Sequence, residues 1–309
     1  MRWTDRVYGE VAIDDPAILE LIARPTFQRL RGIRQAGPSG IAYPFKDVTR
    51  FEHSLGVYTL LGRLGASATE RLAGLLHDLS HTAFSHAVDF VFASDEQDHH
   101  EGLKPVFLRR PDMVAALARL GHIPDDFFDD TIFPLLEQPL PRLCADRLDY
   151  FFRDSLACRV MTPDVVSRLL DGLVVADGVI AFRDETLARL AVSRFAEMNR
   201  DWWASPGESF IYNEFADALR EALASGSLTE ADLLGDDAHA LACLRSARSP
   251  LIDAKLDRIA RFRPEWLADF SPKVSPKVRW LDPPVALPGG TVPLSSLDSE
   301  ARPSANRTS

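Results

Sequence analysis

From Glu52 to about Leu170 the apolar residues recur with the 3.6-residue period of a helix surface, not the two-residue period of a strand. That pattern predicts a mostly α chain and excludes a parallel sheet of alternating βα units. It predicts helices over 52–66, 69–79, 84–93, 98–109, 111–120, 142–157 and 163–170. Upstream, Pro16 followed by Ala17 to Ile22 reads as a helix capped by Asp14 or Asp15. A second helix is expected over Phe27 to Gln35, stopped at Gly37-Pro38. One segment breaks the rhythm. From Val174 to Arg183 two β-rich runs flank Asp177-Gly178, a two-residue hairpin signal. Helices then resume over 185–204, 208–225, 229–234, 236–247 and 250–260. Residues 271–309 hold 7 of the 21 prolines, and the run KVRWLDPPVAL alternates like a C-terminal edge strand near 277–287. Past Leu294 the chain turns Ser-, Pro- and Thr-rich. The expected organisation is therefore one domain over 1–294 and a disordered tail over 295–309.

Charge narrows the partners. The net charge of −10 gives little global attraction for a nucleic-acid backbone or an anionic membrane, so nucleic acid is an unlikely partner. No run of eighteen apolar residues predicts a transmembrane helix, and the N-terminal stretch carries acids where a signal peptide needs an apolar run. Cys144, Cys158 and Cys243 lie far apart without CxxC spacing, which argues against a disulfide framework and for a reducing cytoplasm. Whether the chain forms a homo-oligomer is left open.

The chemistry-bearing residues are concentrated. Six of the eight histidines fall between His53 and His100, the densest run being LHDLSHTAFSH over Leu76 to His86. His77 and His81 are four apart and are expected on one face of a helix. Downstream, Asp146, Tyr150 and Asp154 follow one another at i, i+4 and i+8 and share a face. Asp149 and Arg153 read most simply as a solvated salt bridge. A divalent metal needs several N/O ligands converging from different segments, and His, His-Asp and Asp supply such a set. Mn, Fe, Co, Ni or Zn suits it, and Mg is tolerated. The remaining histidines and arginines would surround an anionic substrate.

The order H…HD…D, met by His53, His77-Asp78 and Asp146, resembles the HD superfamily of metal-dependent phosphohydrolases. The strings FQRLRGIRQAG, RFEHSLGV, LLHDLSHTAFSH, HHEG and DRLDYFFRD resemble its deoxynucleoside triphosphate triphosphohydrolase branch, over roughly residues 26–204. The resemblance implies an HD-domain helical bundle and one divalent ion held by His53, His77, Asp78 and Asp146. It implies that Arg50 touches the triphosphate, that His81 and His86 lie against the scissile phosphates, and that Arg147 stands where the family has a phosphate-binding lysine. It further implies that His100 is an acid/base, that Asp89 orients a catalytic histidine, and that Gln35, Tyr150 and Asp154 lie near the sugar 3′-OH. Arg194 matches a phosphate-contacting arginine. Ser80 replaces a glycine common in the family, and Trp202 replaces a tyrosine that crowds the ribose 2′ position, which leaves sugar selection open. Nothing in the sequence supports an allosteric nucleotide site.

The expected activity is hydrolysis of a small-molecule nucleotide, foremost a (deoxy)nucleoside triphosphate. His100 or His86 would supply the proton to the leaving oxygen, and Asp89 would fix one imidazole's tautomer. Two alternatives remain. One is a di-iron oxygenase on the same fold, using His81 with His86 or His100 for a second metal. The other is a nucleotide-binding regulator without turnover.

Overall fold

The computed structural model describes residues 1–92 and 99–297, with the side chains of residues 92 and 99–101 also outside that set. The chain opens with a hairpin, β1 (Arg2–Asp5) and β2 (Gly9–Ala12), which the sequence pattern does not reveal. Helix α1 (Pro16–Ile22) follows, with Asp15 accepting from the amide of Ala17 at 2.8 Å. The helix expected over Phe27 to Gln35 is only two short turns, Pro25–Gln28 and Arg29–Gly32. Arg34 instead bridges Thr49 across the loop, so the segment leaves helical geometry before Gln35.

Thr49 caps α2 (Arg50–Arg63), and Ser67 caps α3 (Ala68–Leu76). Helix α3 ends at Leu76, so His77 and His81 do not share a helix face. They sit in the turns that follow it, where the His81 amide donates to the Asp78 carbonyl at 3.1 Å. The helix expected over 84–93 is likewise broken. Phe84 and Ser85 take positive φ values of 60° and 53°, a conformation non-glycine residues hold only when their surroundings impose it. Here the Phe84 amide donates to Asp237 Oδ1 at 2.6 Å and the Ser85 hydroxyl to the Arg34 carbonyl at 2.7 Å.

Helices α4 (His99–Leu108) and α5 (Pro111–Arg119) lead to α6 (Ala145–Ala157) and α7 (Pro163–Asp171). The hairpin appears where expected, as β3 (Leu173–Ala176) and β4 (Val179–Phe182). Asp177 and Gly178 both have positive φ, the signature of a type I′ turn. Helix α8 (Glu185–Met198) does not run on to 204 but passes into a π-helical turn at Asn199–Trp203. Helices α9 (Pro206–Ser225), α10 (Asp237–Ser246) and α11 (Pro250–Ala260) complete the helical part.

The C-terminal strand begins later than its alternation suggests. Residues 277–283 are irregular, β5 (Pro284–Leu287) lies parallel to β4, and β6 (Gly290–Pro293) forms the edge. Disorder from 295 is not met at once. Leu294–Leu297 forms a helical turn, held by the Ser295 hydroxyl on Asp282 at 2.6 Å. The expected tail beyond it, 298–309, lies outside the described residues.

Two apolar clusters hold the fold. One gathers α2, α3 and α6 around Leu61, Leu75, Phe151 and Phe152. The other gathers α9, α10 and α11 around Phe84, Phe210, Phe215 and Ile252. The loop from His77 to Ala87 runs from the first, through Leu79, to the second, through Ala83 and Phe84. Burial of such side chains, each stabilising by about 1.5–3 kcal/mol, fixes both ends of the loop that carries the histidines.

Candidate metal centre and cavity

Helices α2 and α6 pack side by side and bring together residues nearly a hundred positions apart. His53, in the first turn of α2, points Nε2 at Asp146 Oδ1 (2.9 Å) and at His77 Nε2 (3.2 Å). His77 Nε2 lies 3.4 Å from Asp146 Oδ1 and 3.5 Å from Asp78 Oδ1. Asp78 Oδ2 is 3.7 Å from His53 Nε2. The four residues expected to hold a metal therefore converge. His53, His77 and Asp146 present donor atoms all within 4.8 Å of one another.

The other nitrogens show what such a cluster needs. His77 Nδ1 donates to the Gly74 carbonyl at 2.8 Å, and His53 Nδ1 to Asp149 Oδ2 at 2.7 Å. With Nδ1 carrying the proton in both rings, both neutral imidazoles turn an Nε2 lone pair toward two carboxylates. Such a constellation repels itself unless positive charge sits among the donors. The titration behaviour says the same. Burial opposes a charge on His53, yet hydrogen bonds to Asp146 and Asp149 push its pKa up to about 10. Burial also opposes a charge on His77, and Asp78 and Asp146 outweigh it. Asp146, despite burial, is held far below the usual carboxylate range by the two imidazoles. A donor set that demands positive charge, made of two imidazoles and two carboxylates, fits a divalent transition-metal ion.

The cluster opens on a cavity of about 790 Å³. Gln35, Arg50, His81, His86, Arg147, Tyr150 and Asp154 all line it. Arg50 is buried, with Nη1 on Asp78 Oδ2 at 2.9 Å and Nε on the Ser85 hydroxyl at 3.0 Å. His81 is buried beside Asp78, Nε2 to Oδ1 3.1 Å, and burial together with Arg50 holds its pKa well below the ordinary value. His86 is partly exposed, its ring edge-on to His81 at 4.9 Å and its Nδ1 3.0 Å from Asp89 Oδ2. Arg147 is pinned by the carbonyls of Arg142 and Gln138 at 2.5 and 3.0 Å. Tyr150 packs edge-on to Trp203, whose indole N–H donates to Asp154 at 2.8 Å. Burial pushes the Asp154 carboxyl up.

One expected residue is not brought into this assembly. Arg194 on α8 pairs with Glu197 at 2.7 Å and does not line the cavity. His100 is the second residue of α4, and its side chain lies outside the described residues.

Other residues line the cavity without having been legible. Lys46 is buried against Glu208 at 2.8 Å, near the face of Trp202. Lys104, paired with Asp130, comes from α4. Lys277 and Arg279 come from the irregular C-terminal segment, where the Arg279 amide is fixed by Asn199 at 2.8 Å. The only sequence trace of the last two is a basic run in a proline-rich tail. The Asp149–Arg153 pair, read as solvated, is instead wholly buried. No helix among the described residues is long and apolar enough to cross a membrane.

This fold and donor set define an HD-type phosphohydrolase. Residues 50–153 match the family model described as HD domain. The chain is 34% identical to the uncharacterized protein YdhJ of Bacillus subtilis, over 98% of this chain and 94% of that one. It is 32% identical to the metal-dependent phosphohydrolase cns2 of Cordyceps militaris, over 91% and 84%. The Dictyostelium discoideum homolog of deoxynucleoside triphosphate triphosphohydrolase SAMHD1 is 27% identical, over 60% of this chain and 42% of that one. Among solved structures, a hypothetical protein from Aquifex aeolicus superposes with a TM-score of 0.67 at 20% identity, covering 97% and 92% of the two chains. The chain belongs to the HD superfamily of metal-dependent phosphohydrolases.

Proposed function

We propose that the chain hydrolyses a nucleotide, foremost a (deoxy)nucleoside triphosphate, with one divalent ion held by His53, His77, Asp78 and Asp146. The observation that carries this reading is a single cavity lined by two unlike groups. The His/Asp cluster and the Tyr150–Asp154–Trp203 group both face it, with Arg50, Arg147, Lys104, Lys277 and Arg279 also in its lining. A phosphate chain fits the cationic side chains, and a sugar and base fit the aromatic, carboxylate-bearing group.

The chemistry a divalent ion supplies there is Lewis acidity at a phosphoryl group. The chain's own residues do the rest. Arg50, fixed by Ser85, offsets phosphate charge beside the cluster. Asp89 accepts from His86 Nδ1, so a proton given to the leaving oxygen departs from Nε2. His81, kept neutral by burial and Arg50, is unsuited to that role; it gives its one N–H, on Nε2, to Asp78 and stands beside the phosphates. Asp154 accepts from a sugar hydroxyl. Lys277 and Arg279 take up the outer phosphates, the place that Arg194 leaves vacant.

The test is a screen of nucleoside tri-, di- and monophosphates, ribo- and deoxyribo-, with each of Mn, Fe, Co, Ni, Zn and Mg, resolving triphosphate from single phosphate release. Metal-dependent hydrolysis of nucleotides is expected. Hydrolysis confined to non-nucleotide phosphate esters, or consumption of dioxygen, would overturn the reading.

A further inference from the structure

Asp149 is buried with no exposed surface and collects three donors. His53 Nδ1 and Arg153 Nε both bond Oδ2 at 2.7 Å, and the Tyr8 hydroxyl donates to Oδ1 at 2.7 Å. Arg153 in turn reaches Asp5 Oδ2 at 2.9 Å and Glu52 Oε1 at 2.8 Å. Asp5 and Tyr8 flank the turn of the N-terminal hairpin. That turn is closed by Asp5 Oδ1, which accepts from the amides of Val7 and Tyr8 at 2.8 and 3.1 Å. The tip of β1–β2 is thus plugged between α2 and α6, directly behind the metal cluster.

Gly56 makes room for this arrangement. It lies one turn after His53 on α2, and a Cβ there would fall 2.1 Å from both Arg153 and Asp149. A glycine in a helix interior is unfavourable relative to alanine, so the sequence bears a local penalty where these two side chains cross the helix.

We infer that Asp149 and Tyr8 are positioning residues for the metal site, setting the tautomer and aim of His53 from behind. A carboxylate with three donors is an acceptor only. It therefore holds the proton of His53 on Nδ1 and leaves Nε2 as the donor atom toward the cluster. The Tyr8 hydroxyl and Arg153 hold the carboxylate still, so that the imidazole cannot swing from the site. Groups that orient a metal-bound histidine in this way typically alter metal affinity by about 10–100-fold when replaced. The N-terminal hairpin, remote in sequence from every motif residue, thereby becomes part of the site.

This inference rests on the metal reading above, and its test reads metal binding directly, without substrate. Metal-stripped wild type, Asp149→Asn and Tyr8→Phe are titrated with Mn²⁺ by calorimetry, and the melting temperature of each is taken with and without the metal. Asp149→Asn should weaken Mn²⁺ binding by about 10–100-fold, and Tyr8→Phe by several-fold. Tyr8→Phe keeps the ring packing but removes the donor to Asp149 Oδ1, so its metal-free melting temperature should fall somewhat and the further rise on adding Mn²⁺ should be smaller than in wild type. If Asp149→Asn does not fold, Tyr8→Phe decides. Mn²⁺ affinity within twofold of wild type in the folded variants overturns the inference and leaves the metal reading standing. Failure of wild type itself to bind any divalent ion overturns both.

Discussion

Two histidine–carboxylate pairs in this molecule look alike and are built for different work. His53 is held by Asp149 at 2.7 Å, and His86 by Asp89 at 3.0 Å, each through Nδ1. The first pair is sealed, both side chains at 0% exposure, with an arginine and a tyrosine locking the carboxylate. In the second the His86 side chain is 27% exposed on the cavity wall. A sealed imidazole facing other lone pairs can only share a cation. An imidazole at the edge of water can take up a proton and pass it on. On the proposed function the same dyad is a ligand in one setting and an acid in the other, decided by burial and by what faces Nε2.

Replacing the working histidines tests that division most severely. His53→Ala should lose the metal and, with it, turnover by on the order of 10³ or more, since Lewis-acid stabilisation is worth several kcal/mol. Metal analysis beside a nucleotide assay reads both. Full metal occupancy in that variant would show that the buried pair does not hold the ion.

His86→Ala should lower turnover by about 10²–10⁴ while the metal stays. Steady-state rates on a nucleoside triphosphate check it, and a rate equal to wild type would take the acid role from His86.

Smaller effects sharpen the contrast. Asp89→Asn leaves the ring in place but weakens its hold on the tautomer, so turnover should fall by roughly tenfold with metal affinity untouched. A matching loss of Mn²⁺ affinity would make the two dyads equivalent. Gly56→Ala, normally favourable in a helix, should instead destabilise by about 1–3 kcal/mol, because the new methyl meets Asp149 and Arg153. Thermal denaturation measures it, and a gain in melting temperature would show that the sealed pair has room to spare.

The two dyads also mark what the sequence reveals. His86 and Asp89 are three residues apart, so local spacing exposes them even though the expected helix is broken by the Phe84–Ser85 turn. The ordered His53, His77-Asp78 and Asp146 pattern is likewise legible, because residue type and order carry it. The i, i+4, i+8 face of α6 is legible from helical spacing alone. Asp149 is different. Its partner His53 is 96 positions away, and its neighbour at i+4, Arg153, offers a plausible local explanation that tertiary packing overrides. Lys46, Lys277 and Arg279 reach the cavity from loops with no period to read. The N-terminal hairpin turns on Asp5 and Gly9, without the Asn-Gly or Asp-Gly pair that marks β3–β4. The end of α8 is hidden by helical residues that continue into a π turn carrying Trp202 and Trp203.

On the proposed function one cation joins His53, His77, Asp78 and Asp146 while His86 stands outside as an acid. Its most direct test is metal stoichiometry by elemental analysis, after Mn²⁺ loading and desalting, for wild type, His53→Ala and His86→Ala in parallel. One ion per chain is expected in wild type, none in His53→Ala and one in His86→Ala. Two ions in wild type, with one or both lost from His86→Ala, would contradict it and make His86 a ligand.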